Sequence, residues 1–272
     1  MILLRKVFIT GIIFSICLSV QGQNLQWKSE IKNDSVYYHL VNTFYAPFEI
    51  TIKNKKPEIE GKFIYNKQFV VQKRSTYSSA IKIPLNLARD TVNFDFSQVL
   101  STYSVLGDPN KAKHDDNYRY SFPFSKGKFY KVTQSFNGKK SHFSKKSKYA
   151  IDFNLKIGDT VFAAREGIVA WVIEDFKQHG GIEMIKKANK IVILHEDGTN
   201  ASYVHLDYKG SLVNPGDIIK KGQPIGISGL TGYTSGPHLH FVVREARDKA
   251  VPIYFEGYEG KILKKRKKYK RL

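Results

Sequence analysis

Residues 236–243 read GPHLHFVV, and this stretch decides which kind of fold surrounds it. Gly-Pro marks a turn, and the apolar run that ends the stretch predicts a β-strand. Side chains two residues apart on a strand point to the same face, so His238 and His240 are expected side by side. An H-x-H pair alone is more often exposed or packed in a core than bound to metal, so its meaning depends on the rest of the chain.

The sequence before this stretch is also typical of short antiparallel strands. TVFAAREGIVAWVIED (160–175) predicts two strands around a central turn, and KIVILHEDGTNASYVHL (190–206) predicts a hairpin. VNPGDIIKKGQPIGISG (213–229) holds two glycine turns with short apolar pieces between them. Residues 175–190 form an insertion with a partly helical pattern, and no long helix is expected.

The first hundred residues carry strand patterns of their own. FEITI (48–52) and VNFDF (92–96) alternate apolar and polar residues, with the apolar side chains expected inward and Glu49 outward. Further strands are predicted at SVYYHLVN, GKFIYNKQFVVQK and SSAIKIPLNL. We therefore predict an all-β protein with a β-sandwich-like domain at residues 23–106.

The polar stretch GDPNKAKHDDNYRY suggests where this domain ends. It is rich in turn-forming and charged residues, so we predict a linker at 107–124. A second β domain is then expected at 125–258, followed by a basic tail at 259–272. Eight basic residues and no acidic one lie between Lys261 and Arg271. Two interpretations stay open for this tail: a disordered soluble segment, or an electrostatic tether to an anionic polymer or lipid.

Charge and the N-terminus bear on where the protein acts. The 272 residues carry 44 Lys and Arg against 24 Asp and Glu, a net charge of +20, which favours an anionic partner. Arg5 and Lys6 precede an apolar segment, which predicts a signal peptide at residues 1–22; a short membrane anchor is the alternative. Export to the periplasm, the cell envelope or the medium argues against nucleic acid as a partner.

Cysteine usage limits the kinds of site that the exported chain can build. The single cysteine, Cys17, lies inside the predicted signal peptide. After cleavage there would be no disulfide and no thiolate metal ligand. A metal site would have to use histidine, aspartate or glutamate.

Residues of these types accompany the H-x-H pair. His142 lies in KSHFSKKSKYAIDF, where Asp152 follows within a predicted strand, and His205 ends the strand ASYVHL. With His238 and His240 they give four histidines and one carboxylate. A zinc site with three protein ligands and an open position needs about this inventory, and neighbouring imidazoles can transfer protons.

The order of the motifs resembles a known family. H…YAIDF, GDTVFAAREGIVAWV, HEDGTNASYVHL, VNPGDIIKKGQPIGISG and GLTGYTSGPHLHF are similar to the M23 family of zinc metallopeptidases, the lysostaphin- or LytM-type peptidoglycan endopeptidases. The resemblance covers residues 128–250 and leaves the first domain unassigned. It implies an M23-type antiparallel β catalytic domain with a groove, one zinc ion per chain, and peptide stems of peptidoglycan as substrate.

The resemblance also implies roles for five residues. His142, Asp152 and His240 resemble the zinc ligands, and His205 and His238 resemble the catalytic histidines. The function it implies is a zinc endopeptidase that hydrolyses peptide cross-links in the cell wall with a metal-activated water and two assisting histidines. The alternatives are a non-catalytic module that binds or activates wall hydrolases, and a structural envelope protein.

Two positions depart from the family pattern. The usual spacing of the first two ligands is H-x-x-x-D, whereas Asp152 here follows His142 by ten positions. The extra residues are polar, so a surface loop is expected to absorb them. Leu230 stands where the family often has a polar residue, which bears on specificity more than on catalysis.

The remaining candidates have simpler interpretations. His39 is expected to be an ordinary strand residue, and His114 to lie in a solvated loop, although neighbouring aspartates make a metal site conceivable there. His195 is expected to be structural or exposed, with a supporting role at the site as the alternative, and His179 to be solvated. For Tyr203, packing and lining of the groove stay equally open.

Overall fold

The computed structural model describes residues 24–55, 66–85 and 95–272. Two compact units divide the chain, Met1–Val105 and Leu106–Leu272. The described residues form β-strands and single 3₁₀ turns at Phe96–Gln98 and Ile182–Met184, which confirms the all-β class. None of their helices is long and apolar enough to cross a membrane. The predicted signal peptide lies outside the described residues.

The first unit contains two three-stranded sheets. Its strands are β1 (Leu25–Lys32), β2 (Ser35–Asn42), β3 (Phe48–Asn54), β4 (Asn66–Val71), β5 (Ser75–Pro84) and β6 (Leu100–Leu106). The sheet orders are β1-β2-β5 and β4-β3-β6. The rings of Trp27 and Tyr38 lie 5.1 and 4.9 Å from that of Phe96, so aromatic edges fill this core.

Two details of the predicted strands in this unit were wrong. Glu49 was expected to face outward from β3, but it is buried, and Gln68 donates a 2.7 Å hydrogen bond to its carboxylate. That bond offsets the cost of burying the group. Phe96 was expected in a strand, but it begins a 3₁₀ turn that Asp95 caps. The start of the VNFDF stretch lies outside the described residues.

The second unit is built on a nine-stranded sheet with smaller sheets beside it. Its strands are β7 (Arg119–Tyr120), β8 (Phe129–Gln134), β9 (Ile151–Phe153), β10 (Thr160–Phe162), β11 (Gly167–Ile173), β12 (His179–Gly180), β13 (Lys190–Leu194), β14 (Asn200–Val204), β15 (Leu206–Ser211), β16 (Ile218–Ile219), β17 (Pro224–Ser228), β18 (Gly232–Tyr233), β19 (Leu239–Glu245), β20 (Lys249–Ala250), β21 (Tyr254–Phe255) and β22 (Lys268–Lys270). The large sheet has the order β16-β11-β13-β14-β19-β9-β8-β22, and β20 pairs with β19.

This sheet explains why the sequence motifs meet. The predicted hairpin is present as β13 and β14, which pair antiparallel from Lys190 opposite Val204 to Leu194 opposite Asn200. β14 pairs in turn with β19, and β19 with β9. One face of the sheet packs on an aromatic core in which the rings of Phe122 and Phe255 stack 4.4 Å apart.

The ends of the second unit differ from the sequence expectations. Residues of the predicted linker, including Tyr120, Phe122 and Phe124, are buried in the core, because strand β7 and the residues after it pack there. The basic C-terminal segment is not the disordered tail that was one of its two interpretations. Its Leu263 is buried, and β22 pairs antiparallel with β8 at the edge of the large sheet.

Candidate metal centre

Three neighbouring strands carry side chains to one point on the large sheet. His240 of β19 lies directly opposite Asp152 of β9, and Asp152 also pairs with Gln134 of β8. Residues opposite each other on adjacent strands project from the same face. The apolar neighbours of Asp152, Ile151 and Phe153, are fully buried and fix the strand, so its carboxylate is held in place.

His142 reaches the same point from the loop between β8 and β9. The His142 N–H donates to the Gly138 carbonyl at 2.9 Å, and the Asn137 N–H donates to the Lys148 carbonyl at 2.7 Å. These bonds fold the loop back on itself, so the ten-residue spacing does not separate the two side chains. His142 is fully buried, and its Nε2 lies 3.1 Å from Oδ1 of Asp152.

The three candidate ligand atoms form a tight triangle. His142 Nε2 lies 3.2 Å from His240 Nδ1, and His240 Nδ1 lies 2.9 Å from Asp152 Oδ1. Zinc bonds of about 2.0–2.1 Å in a tetrahedron place two ligand atoms about 3.3 Å apart, so the triangle is close to the size that zinc needs. The three residues therefore form a cluster able to hold a metal ion.

The charge state of the cluster also suits a cation. Burial alone would raise the pKa of Asp152, but the close approach of His142 and His240 outweighs it and holds this pKa well below its usual range. Burial lowers the pKa of His240, which favours the neutral imidazole. A carboxylate and neutral imidazoles offer lone pairs that converge on one position, which is the donor set of a zinc site.

The outer atoms of two candidate ligands are held by groups that sequence reasoning missed. His142 Nδ1 lies 3.1 Å from the Ser135 carbonyl, so this nitrogen carries the proton and Nε2 is left with its lone pair. Gln134 donates to Oδ2 of Asp152 at 3.0 Å and to the Ser141 hydroxyl at 2.8 Å. A glutamine inside a short strand gives no motif, so only its position opposite Asp152 reveals this role.

His205 and His238 lie next to the cluster. Their ring centroids are 4.6 Å apart, and His238 Nε2 lies 3.8 Å from Oδ1 of Asp152. Each directs Nδ1 away from the cluster: His205 to the Thr231 carbonyl at 2.7 Å, and His238 to the Gly236 carbonyl at 2.9 Å. Both therefore keep Nε2 available for another hydrogen bond.

The surroundings of His205 make it a neutral group with a constrained backbone. Burial, followed by repulsion from His238 and His240, lowers the pKa of His205 to about 3. Its φ is +67°, a conformation that side chains with a Cβ rarely adopt. The Gly229 N–H donates to the His205 carbonyl at 3.0 Å, which helps to hold this conformation.

The other histidines and Tyr203 lie away from this cluster. His195 is buried and bonds the Glu166 carbonyl through Nδ1 at 2.7 Å, which makes it structural. The side chain of His114 is only 5% exposed and bonds Asp116 at 3.0 Å, so the expectation of a solvated residue was wrong for its ring. Tyr203 is fully buried and accepts a bond from the Ala164 N–H, so it packs in the core.

The last candidates agree with their simple interpretations. His179 is exposed in β12, and His39 lies in β2. Leu230 is partly buried beside Thr231. Among the residues that the structure describes, His142, Asp152 and His240 form the one group found that could hold a metal ion.

Part of the chain is similar to known peptidases. Residues 146–252 match the family described as Peptidase family M23, so the chain carries a peptidase M23 domain. His142 lies just before the matched range. Among curated proteins, lysostaphin from Staphylococcus simulans is 38% identical over 94 residues, which are 34% of this chain and 17% of that protein.

Two further relatives come from Vibrio cholerae. The peptidoglycan DD-endopeptidase ShyB is 30% identical over 181 residues, 65% of this chain and 38% of that protein. The matched segments thus span well under half of lysostaphin and of ShyB. A crystal structure of a zinc-containing peptidase is 16% identical, covers 83% of this chain and 84% of that one, and has a TM-score of 0.38.

Proposed function

We propose that this protein is a zinc-dependent endopeptidase that hydrolyses peptide cross-links of peptidoglycan. The observation that carries the proposal is the convergence of His142, Asp152 and His240 with two further histidines at their side. A buried cluster of this composition has no packing role that apolar residues would not fill better.

His142, Asp152 and His240 would hold the ion. Two neutral imidazoles and one carboxylate leave the site with a formal charge of about +1, so it keeps its Lewis acidity. Zinc bound there would supply polarisation of a peptide carbonyl and of a water molecule. The hydrogen bond from Nδ1–H of His142 to the Ser135 carbonyl and the bond from Gln134 to Asp152 keep the ligand atoms directed at the site.

His205 and His238 would handle the proton and the developing oxyanion. Because burial disfavours the charged form of His205 and its Nδ1–H donates to the Thr231 carbonyl, we assign its Nε2 to accept a hydrogen bond from the attacking water. The His238 side chain is 18% exposed, so water can solvate its charged form. We therefore assign His238 to take the proton from water and return it to the leaving amine.

Peptidoglycan is the proposed substrate because a relative of this chain is named a peptidoglycan endopeptidase. ShyB is named a peptidoglycan DD-endopeptidase, and the overlap with it takes in 65% of this chain. The net charge of +20 also suits an anionic envelope, and the basic segment 259–272 is proposed to contact an anionic polymer or lipid there. Such a substrate places the protein outside the cytoplasm, in the periplasm or cell envelope.

A non-catalytic module that binds or activates wall hydrolases is the alternative function. Its support in the sequence was the long spacing between His142 and Asp152. Since their ligand atoms lie 3.1 Å apart, this spacing does not argue for a lost site.

Purified sacculi provide the test. The zinc-loaded protein is expected to convert cross-linked muropeptides to monomers, seen by mass spectrometry after the glycan strands are cut with a muramidase, and a chelator is expected to stop the conversion. His240→Ala should lose bound zinc and cleavage together, because it removes one of three ligands. Cleavage at the wild-type rate by folded His240→Ala, or cross-links left intact by zinc-loaded wild type, would overturn the proposal.

A further inference from the structure

A basic groove lies on the second unit, close to the candidate metal centre. Its cavity has a volume of about 580 Å³. The lining residues come from β8, β22 and the segment after β9, and they are Gly127, Lys128, Phe129, Tyr130, Lys131, Asn154, Lys156, Asp159 and Lys268. The groove thus combines lysines from distant parts of the sequence, and pairing of β22 with β8 is what brings Lys268 to it.

Strand register places Lys131 and Lys268 of this groove on the face of the sheet that carries the metal centre. Val132 pairs with Phe153, and both are fully buried in the core. Neighbouring residues on a strand point to opposite faces, so Lys131 and Asp152 both project from the other face. Lys268 is the partner of Lys131 on β22 and shares that face.

The distances between the groove and the centre are short. Three strand spacings separate β19, with His240, from β22, with Lys268, which is roughly 14 Å across the sheet, and Lys268 is also displaced by about two residues along the strands, so the direct distance is roughly 16 Å. An extended peptide covers that distance in about five residues. One polymer can therefore occupy the groove and reach the metal centre.

The lysine side chains of the groove are available to bind an anionic ligand. Among the described residues, no carboxylate lies within ion-pair distance of Lys128, Lys131, Lys156 or Lys268. The carboxylate of Asp159, the one acidic residue in the lining, accepts a 2.8 Å bond from the backbone N–H of Lys156. Burial, together with the nearby Asp159 carboxylate, raises the pKa of Tyr130 to about 12. The lining keeps a net charge of about +3, and the half-exposed ring of Phe129 adds an apolar surface.

We propose that this groove binds free carboxylates of the peptidoglycan strand whose cross-link lies at the metal centre. The inference rests on the proposed function for the identity of the polymer. A concave site fits a chain better than a flat lipid surface does, and its position on the same face favours the substrate itself as the occupant. The C-terminal strand is then part of the substrate-binding surface rather than a separate tether.

Binding to sacculi in a chelator tests the groove without cleavage. The full-length triple variant Lys131→Gln, Lys156→Gln and Lys268→Gln removes three exposed charges, so the fold should persist, which circular dichroism checks. Each exposed ion pair changes binding a few-fold, so the triple variant is expected to bind about tenfold more weakly at low salt. High salt should reduce the difference.

A matched variant separates the groove from overall charge. Lys111→Gln, Lys113→Gln and Lys186→Gln also remove three exposed charges, and none of these residues lines the groove. This variant should bind within about twofold of wild type. Equal binding by wild type and the groove variant, or an equal loss in both variants, would overturn the proposal.

Two further measurements identify the occupant. Converting the carboxylates of the sacculi to amides should weaken binding by wild type to the level of the groove variant and leave binding by that variant unchanged. If the conversion weakens binding by both proteins equally, the proposal is overturned. If the groove variant loses binding to anionic lipid vesicles but keeps its binding to sacculi, the occupant is a membrane and the proposal fails. If wild type binds sacculi through the groove but does not cleave their cross-links, only the proposed function is refuted.

Discussion

Gln134 is the residue whose replacement tests how the metal centre is assembled. Its side-chain amide donates to Asp152 and to the Ser141 hydroxyl, at 3.0 and 2.8 Å. Its carbonyl accepts from the N–H groups of Lys140 and Ser141, at 3.1 and 3.4 Å. One side chain thus orients a candidate ligand on β9 and ties down the loop that carries His142. Gln134→Met keeps the volume and removes all four bonds.

The expected loss follows from what these bonds hold. Without the bond to Oδ2, the Asp152 carboxylate is free to rotate Oδ1 away from the two imidazoles. Groups that orient metal ligands contribute about 10- to 100-fold to metal affinity, which is about 1.4–2.7 kcal/mol. The partly buried N–H groups of Lys140 and Ser141 would also lose their acceptor, which costs about 0.5–1.5 kcal/mol of folding stability for each bond. The two effects have different readouts and can be measured on one protein.

Zinc affinity is measured by competition with a chromophoric chelator, and stability by urea unfolding of the zinc-free protein. Gln68→Met is the matched control, because Gln68 also donates to a buried carboxylate, that of Glu49, at 2.7 Å. It should lower stability and leave zinc affinity unchanged. Folded Gln134→Met that binds zinc as tightly as wild type would refute the reasoning, as would an equal loss of affinity in Gln68→Met.

Two further predictions concern buried groups away from the centre. Burial lowers the pKa of His195 to about 4, below the value of about 6.5 in the unfolded chain, so the unfolded state binds more protons between these values. His195 should therefore contribute about 3 kcal/mol to the loss of stability as pH falls from 6.5 to 4, beside the losses from His205 and His240. His195→Asn, which keeps a donor for the Glu166 carbonyl, should reduce the pH dependence in urea unfolding by that share; an unaltered slope would contradict the assignment. Tyr203→Phe removes the acceptor of the Ala164 N–H, a bond of 2.8 Å, and should cost about 1–3 kcal/mol, whereas a loss near zero would show that water replaces the hydroxyl.

Strand patterns carried most of what could be predicted about the fold. Apolar runs bounded by turn residues were sufficient for the hairpin of β13 and β14, whose strands are buried on both faces. Burial of Glu49 could not be read in the same way. Its carboxylate accepts a hydrogen bond from Gln68, 19 residues later, which lies diagonally across from it on the paired strand, opposite Thr51.

The C-terminal segment shows where amino-acid composition gives the wrong prediction. Lys and Arg dominate residues 261–271, so composition alone favoured a solvated tail. The structure instead places Tyr269 opposite Tyr130, on the core face of the sheet edge. Alternate lysines of the same strand then point to the other face. A few apolar residues among many charges are enough to dock a short edge strand, and counting charges does not detect them.

The metal centre was predicted through its motifs, and its supporting residues were not. The spacing of two residues brings His238, just before β19, and His240, within it, to Asp152 without help from the register. Gln134, by contrast, meets Asp152 only because the pairing of β8 with β9 shifts between Val132 and Gln134. Without that shift, the residue opposite Asp152 would be Thr133, whose side chain is too short to reach both the carboxylate and the loop of His142. A one-residue irregularity therefore decides which side chain supports the site, and irregularities of this kind leave no periodic pattern in a sequence.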